Sequence, residues 1–403
     1  MKTPLHYGYV VIACCCLFMG VDVGLMMSCA GIFYAPVSAE LGVPVGEFGI
    51  YMSFVFCFSA LFLSTAGRLI STYGARKIVG ASSLLLGLTA VAMGFFTRLW
   101  EFYMAGAFIG ISFATLIYLG FPTLVNAWFR TRVGVMIGIC SAASGIGGII
   151  FNPIGGAIIT VWGWRAGYWA FGAIILLIVT PLLLWLLRDK PSDKGLLPFG
   201  AEVKEGTASQ TVEEGVEYHR ALRMPVLYVL LVFSFILMAC STLNPYIPKY
   251  TSSCGFSEME ASWAASIAMA GVTVGKLALG WVNDRNCRVG VVLTTLLGAG
   301  GLVLMALVGD IFWVLAGGSF LFGWEYAGCT VQTTMLTSRI FGRRDYPRIY
   351  SVISIALAAG AAVASGGWGL LADATSFPTA FITGAACLLL ACLLGLLAMR
   401  SAR

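Results

Sequence analysis

Apolar runs of about 20 residues recur along this 403-residue chain with short polar breaks between them, and a run of that length crosses a hydrocarbon core as a helix. Only 10% of the residues are charged, 59% are hydrophobic and the mean hydropathy is +0.92. A soluble domain carries about 25% charge. The chain reads as an all-α membrane protein with spans near 9–34, 48–66, 78–96, 101–124, 133–158, 166–187, 225–248, 260–282, 289–308, 311–337, 349–371 and 378–399. That predicts twelve transmembrane helices. The first run has no small-residue cleavage site behind it, so it is expected to span rather than to act as a signal peptide.

Charge follows topology. An even number of spans puts both termini on one side, and the Lys/Arg bias tells which side that is. Of the 24 basic residues, Arg98, Arg165 and Lys249 fall on one face, Lys276 falls within a span, and the other 20 lie at the termini and in the even-numbered loops. The expectation is a multi-pass protein of a bacterial inner membrane with both termini cytoplasmic. The net charge of +6 then needs no nucleic-acid partner.

The only long polar stretch, 188–223, divides the chain into two six-span halves, 1–187 and 224–403, of similar length. Duplicated halves are a common plan for membrane carriers. A second sign of duplication follows the second span of each half, where GRLISTYGARK (Gly67–Lys77) matches GWVNDRNCRVG (Gly280–Gly290).

Three ionisable residues lie inside spans: Asp22, Lys276 and Glu325. A charge at bilayer depth costs about 3 kcal/mol on insertion scales, so such residues pair, protonate or hold a charged ligand. Asp22 and Glu325 are central in their runs and too short to snorkel. Each either faces a cavity or stays neutral, and a carboxyl poised between the two forms suits proton coupling. Lys276 lies about eight residues, or ~12 Å, before Asp284 at the span's end. It can snorkel, pair with a membrane carboxylate, or meet substrate. Tyr34, Tyr118, Trp324, Tyr326 and Gln332 are further candidates for a cavity lining, against packing roles.

Other chemistry is poorly supported. Most of the twelve cysteines fall within spans, three of them consecutively at Cys14–Cys16, and read as small packing residues. No metal-ligand spacing is present and no cofactor is expected. GVTVGKL (Gly271–Leu277) is one residue short of a phosphate loop and ends in leucine, so ATP hydrolysis is not expected and the chain is not read as an enzyme. Small residues in Ser141–Gly156 permit close helix packing, and Pro153, Pro245 and Pro248 are expected to bend helices at gates.

The repeated loop resembles the signature of the major facilitator superfamily: glycine, three residues, Asp-Arg, one residue, glycine, one residue, a basic residue. The second copy keeps Gly280, Asp284 and Arg285, with Cys287 in place of the second glycine; the first keeps Gly67, Gly74 and Arg76, with Ser71 and Thr72 in place of the acid and base. The resemblance implies two six-helix bundles around a central cavity, with these residues at a cytoplasmic gate. The departure in the first copy leaves Asp284 and Arg285 the stronger candidates. The alternative is topology-setting charge and tight-turn glycines alone. HYGYVVIACC, Ala127–Gly148, Val161–Ala170 and RDKPSDKGLLPFG resemble the monocarboxylate-transporter and oxalate/formate-antiporter branch. GKLALGWVNDR (Gly275–Arg285) puts Lys276 where that branch carries a basic residue held to face the substrate carboxylate. The uncharged eleventh run, Tyr350–Leu371, argues against a doubly charged, oxalate-like substrate.

The resulting expectation is a monomeric secondary transporter of a small organic anion, a monocarboxylate, working by proton symport or anion exchange, with protons and membrane lipid as further partners. The rival within transport is proton-coupled efflux of cationic or amphipathic drugs, recognised by Asp22 and Glu325. Outside transport the alternative is a membrane receptor or scaffold.

Overall fold

The computed structural model describes residues 6–200, 215–342 and 344–401. Lys2, Lys204, Arg343 and Arg403 of the charge count, and the middle of the expected linker, lie outside the described residues. The described chain is helical, in twelve membrane-length segments. They are α1 (Gly8–Leu41), α2 (Val45–Tyr73), α3 (Ala75–Met93), α4 (Leu99–Trp128), α5 (133–162), α6 (164–186), α7 (Pro225–Ser253), α8 (Glu258–Arg285), α9 (Cys287–Leu307), α10 (Phe312–Phe341), α11 (Tyr346–Ala374) and α12 (Phe377–Ser401). Ten stretches are apolar enough to span on composition; one of them, Val135–Leu186, holds both α5 and α6, and α10, which carries Glu325, is not among them.

The junction between α5 and α6 is tighter than the sequence suggests. The expected gap of several residues shrinks to Gly163, whose φ of 82° and ψ of 167° lie where side-chain-bearing residues are strained. A second unforeseen feature is shared by the halves. The step from Gly67 to Gly280 also carries Gly31 onto Asn244. Both positions lie in short 3-10 turns, Ala30–Phe33 in α1 and Asn244–Tyr246 in α7. In α7 the turn is followed by Pro248, and Pro245 lies within it, because proline cannot supply an interior helical N–H. Pro153, by contrast, sits inside an unbroken α5.

Two large buried cores result, one formed mainly by α1–α6 with Tyr246 and Ala265 added from the second half, and one by the second half alone. Within the first, α1 packs on α5 and α2 on α4; within the second, α10 packs on α8 and α9, and α12 on α7 and α9. Two seams join the bundles, α2 with α11 and α5 with α8. Lipid tails are as apolar as leucine, so helices associate here by close backbone approach rather than by hydrophobic burial. Gly20 and Gly147 bring the α1 and α5 backbones together, Gly106 and Gly110 of α4 lie against the α2 carbonyls of Tyr51 and Val55, and Gly271 and Gly323 do the same for α8 and α10.

A β-carbon at Gly147 would overlap the Gly20 backbone, whereas one at Gly138 meets nothing. Gly147→Val is therefore expected to destabilise the protein by about 1–3 kcal/mol through overpacking, read as a lower thermal unfolding temperature in detergent. Gly138→Ala should leave that temperature unchanged or raise it.

Candidate substrate site between the two bundles

The end of the molecule opposite the termini is sealed by contacts between the bundles. At the start of α2, the Gly46 N–H donates to Asp373 Oδ2 at the end of α11 (2.6 Å), so one bundle supplies an acceptor for the other's orphan helix-start N–H. Nearby, Ser53 and Ser365 hydroxyls pair at 2.8 Å. The α1 and α7 turns meet here, with Gly31 against the Pro245 carbonyl. Tyr34 is fully buried edge-on to Tyr246 (ring centroids 5.1 Å apart) and beside Phe48 and Tyr51. Tyr246 donates its hydroxyl to the Ser365 carbonyl at 2.5 Å. Tyr34 thus belongs to an aromatic plug in the seal rather than to the open cavity lining anticipated for it.

Just inside this plug lies a small central cavity lined from both halves: Met27 of α1, Met52 and Phe56 of α2, Ser241, Thr242 and Asn244 of α7, Tyr326 of α10 and Ser365 of α11. Tyr326 borders this cavity, and Tyr118 of α4 is half-exposed. Trp324 is turned toward α8, where its backbone meets Gly275, and its indole N–H has no hydrogen-bond partner among the described residues. Gln332 is not in the lining either: it is buried within the second bundle and donates to the Cys287 carbonyl at 3.3 Å. Polar groups of α7 and Met27, Met52 and Phe56 were not singled out in the sequence, since serines, methionines and phenylalanines inside spans carry no distinguishing signal.

The α5–α8 seam explains Lys276. Proline at 153 has no N–H, which leaves the Ile149 carbonyl one turn back without its helical donor. Ser266 of α8 fills that vacancy, its hydroxyl donating to the Ile149 oxygen at 2.7 Å. Two turns nearer the termini, Lys276 Nζ donates to the Ser141 carbonyl of α5 at 3.1 Å. This is its only hydrogen bond among the described residues, and it spans the two bundles. A snorkelling lysine would have reached the polar surface, and a structural ion pair would have met a carboxylate; Lys276 does neither among the described residues.

The two membrane carboxylates sit elsewhere. Asp22 is fully buried in a π-helical stretch of α1, Met19–Ser28, near Ser83 of α3. Ser83, a polar neighbour of Asp22, shares a hydroxyl pair with Thr180 of α6 at 2.9 Å. Glu325 is fully buried with its stem against Gly298 of α9; Cys329 donates to its Oε1 at 3.6 Å and Oε2 has no hydrogen bond among the described residues. Each carboxylate lies inside its own bundle and not in the cavity lining, which leaves the neutral form of the two alternatives open to both.

At the end that carries the termini, the hydrogen bonds of the repeated loops among the described residues stay within their own halves. Gly74, with φ 88°, lies against Asp189, which accepts the Arg76 backbone N–H at 2.6 Å, and the Arg76 side chain donates to the Leu184 carbonyl. In the second half Arg285 stacks on Trp281, and Arg339 donates to the Asp284 carbonyl at 3.2 Å. Gly280 faces open space and Gly67 has only Leu119 at 3.8 Å. The bundles are joined at the end opposite the termini, and no hydrogen bond links the repeated loops of the two halves among the described residues.

A pair of six-helix bundles closed over a central cavity at one end defines a membrane carrier fold. The Major Facilitator Superfamily matches over residues 16–257 and 229–403, and the chain belongs to that family. Monocarboxylate transporter 12 of Xenopus laevis is 25% identical over 303 residues, 71% of this chain and 65% of that protein. The membrane sensor protein UhpC of Salmonella typhimurium is 27% identical over 228 residues, 52% of this chain and 50% of the relative. The chain thus spans less than two thirds of the length of these relatives. In fold it resembles the crystal structure of a bacterial homologue of the human lysosomal transporter Spinster, inward-facing and unoccupied, with TM-score 0.75 and 15% identity over 99% of this chain and 98% of that one.

Removing the acceptor at position 373 should loosen the sealed end. A hydrogen bond to a charged group is worth about 1.5–3 kcal/mol, so Asp373→Ala should raise the rate at which a cysteine introduced at Met27 is labelled from the side opposite the termini. An unchanged labelling rate would mean that the aromatic plug alone holds this end shut.

Proposed function

We propose that this protein is a secondary transporter of a small monocarboxylate, working by alternating access with proton symport or anion exchange. The termini are read as cytoplasmic, as the basic residues favour. The observation that carries the reading is the state of Lys276. An ammonium has three donors, and here one is spent on the Ser141 carbonyl while no carboxylate among the described residues neutralises it. Such a cation, at the seam where the bundles must part and rejoin, is suited to a substrate with one negative charge. α11 supplies no second cation between Tyr350 and Leu371, which favours a monocarboxylate over a dicarboxylate.

Lys276 also links binding to movement. Its bond to Ser141 ties α8 to α5, so an arriving carboxylate competes with that tie for the same ammonium. Attraction between unit charges at ~4 Å is about 4 kcal/mol at an effective dielectric near 20, more than a bond to a neutral carbonyl, and desolvation offsets part of it. Asp22 and Glu325 are assigned the coupling proton, held away from the substrate within the bundles. Recognition of a cationic drug by these two carboxylates has no support in this arrangement, because both are turned away from the cavity; drug efflux is the weaker reading for that reason. The sensor among the relatives keeps a receptor reading alive, and it predicts binding of the anion without its translocation.

Lys276→Gln should weaken carboxylate binding at least about tenfold, or ~1.4 kcal/mol, without lowering expression, as measured by calorimetry on the purified protein. Lys276→Arg should be tolerated better. Normal binding and transport by the glutamine variant would remove the main support for an anionic substrate. For coupling, Asp22→Asn should abolish uptake driven by a pH gradient in proteoliposomes while exchange of bound substrate continues in part. If Asp22→Asn and Glu325→Gln both keep the parent's pH dependence, neither residue carries the proton.

A further inference from the structure

At the end of the second bundle that carries the termini, the ends of α8, α9, α10 and α12 surround a cavity of about 270 Å³ lined by Arg285, Asn286, Cys287, Arg288, Arg339 and Met399. Three guanidinium-bearing residues converge on it. No carboxylate among the described residues pairs with any of them; the ion pairs present are Arg165 with Glu40 and Arg344 with Glu217. Arg285 lies over the Trp281 ring, 3.6 Å from its centroid, and Arg339 reaches the carbonyls of Asn283 and Asp284. The cavity also abuts the start of α9, a 21-residue helix whose first N–H groups and dipole favour negative charge. Asn286 caps only one of those groups, accepting the Arg288 N–H at 3.0 Å.

The flank of the cavity is apolar. Val274, Leu277 and Trp281 are exposed on α8 at helical spacing, and one further turn along stands Arg285. An apolar strip ending in an interfacial tryptophan and an arginine-lined cavity is the layout that accommodates an acyl chain below and its headgroup above. A bias of basic residues toward one face accounts for arginines on this side, but it does not require three of them to border one cavity with an apolar track beneath.

We infer that this cavity binds the phosphate of an anionic phospholipid, with Arg285, Arg288 and Arg339 holding the headgroup and the α8 strip holding a chain. The guanidinium plane suits bidentate contact with phosphate oxygens. The site is separate from the substrate cavity and does not depend on what the protein transports.

Native mass spectrometry of the full-length protein in detergent tests this, with phosphatidylglycerol, phosphatidylcholine and inorganic phosphate as probes. The parent should retain phosphatidylglycerol in preference to phosphatidylcholine, and millimolar inorganic phosphate should not displace it. At about fivefold per arginine near a membrane surface, Arg288→Gln with Arg339→Gln should weaken that retention about thirtyfold, and Arg288→Lys with Arg339→Lys should restore much of it. Should the double glutamine variant not fold, Arg288→Gln alone is read for its about fivefold loss. Equal retention of the two lipids by the parent, or equal retention by parent and glutamine variants, overturns the site. Displacement by inorganic phosphate overturns the lipid assignment and gives the cavity to a soluble phosphate.

Discussion

Hydrocarbon gives an apolar helix no reason to leave it for another apolar helix, so the two halves of this molecule are held by close backbone approach and by hydrogen bonds to carbonyls. The α5–α8 seam depends on that constraint most directly. Pro153 frees one carbonyl, Ser266 takes it, and Lys276 adds a second tie to the same helix at Ser141. At the α2–α11 seam the corresponding work falls to Asp373 on the Gly46 N–H and to paired serines. These bonds are few and neutral or singly charged, which suits an interface that must break and re-form during a cycle.

Much of the architecture was legible in the sequence because lipid imposes a length on every span and a composition on every loop. The helix count, the two halves and the repeated loops follow from those constraints. Orientation within a helix was not legible. Asp22 and Glu325 announce themselves as costly residues, but nothing in their spans says whether they face the cavity or a neighbour in the same bundle. Tyr34 and Gln332 are aromatic and polar residues at membrane depth that the fold spends on a plug and on an internal hydrogen bond. The role of Pro153 was half readable: its missing N–H is certain from the sequence, while the donor that replaces it comes from a residue more than 100 positions away.

The first bundle has a polar interior that spacing alone did not reveal. Thr115 of α4 donates to Ser82 of α3, and Ser83 pairs with Thr180 of α6, close to Asp22. Each of the three helices facing α3 here contains a π-helical stretch: Met19–Ser28 in α1, Ala114–Gly120 in α4 and Ile175–Val179 in α6. Such stretches widen the turn and recur at functional sites. They coincide in this protein with the fully buried Asp22 carboxylate and its neighbour Ser83.

The single-residue joint at Gly163 has a mechanical consequence. Consecutive Cα atoms are held 3.8 Å apart across a trans peptide, so the adjoining ends of α5 and α6 cannot separate, whatever the rest of the bundle does. Their mutual angle can still change, because the backbone there is glycine with no neighbour within 4 Å of its missing side chain. The two helices are the legs of a pair of compasses, pivoted at the sealed face and free to spread only at the other.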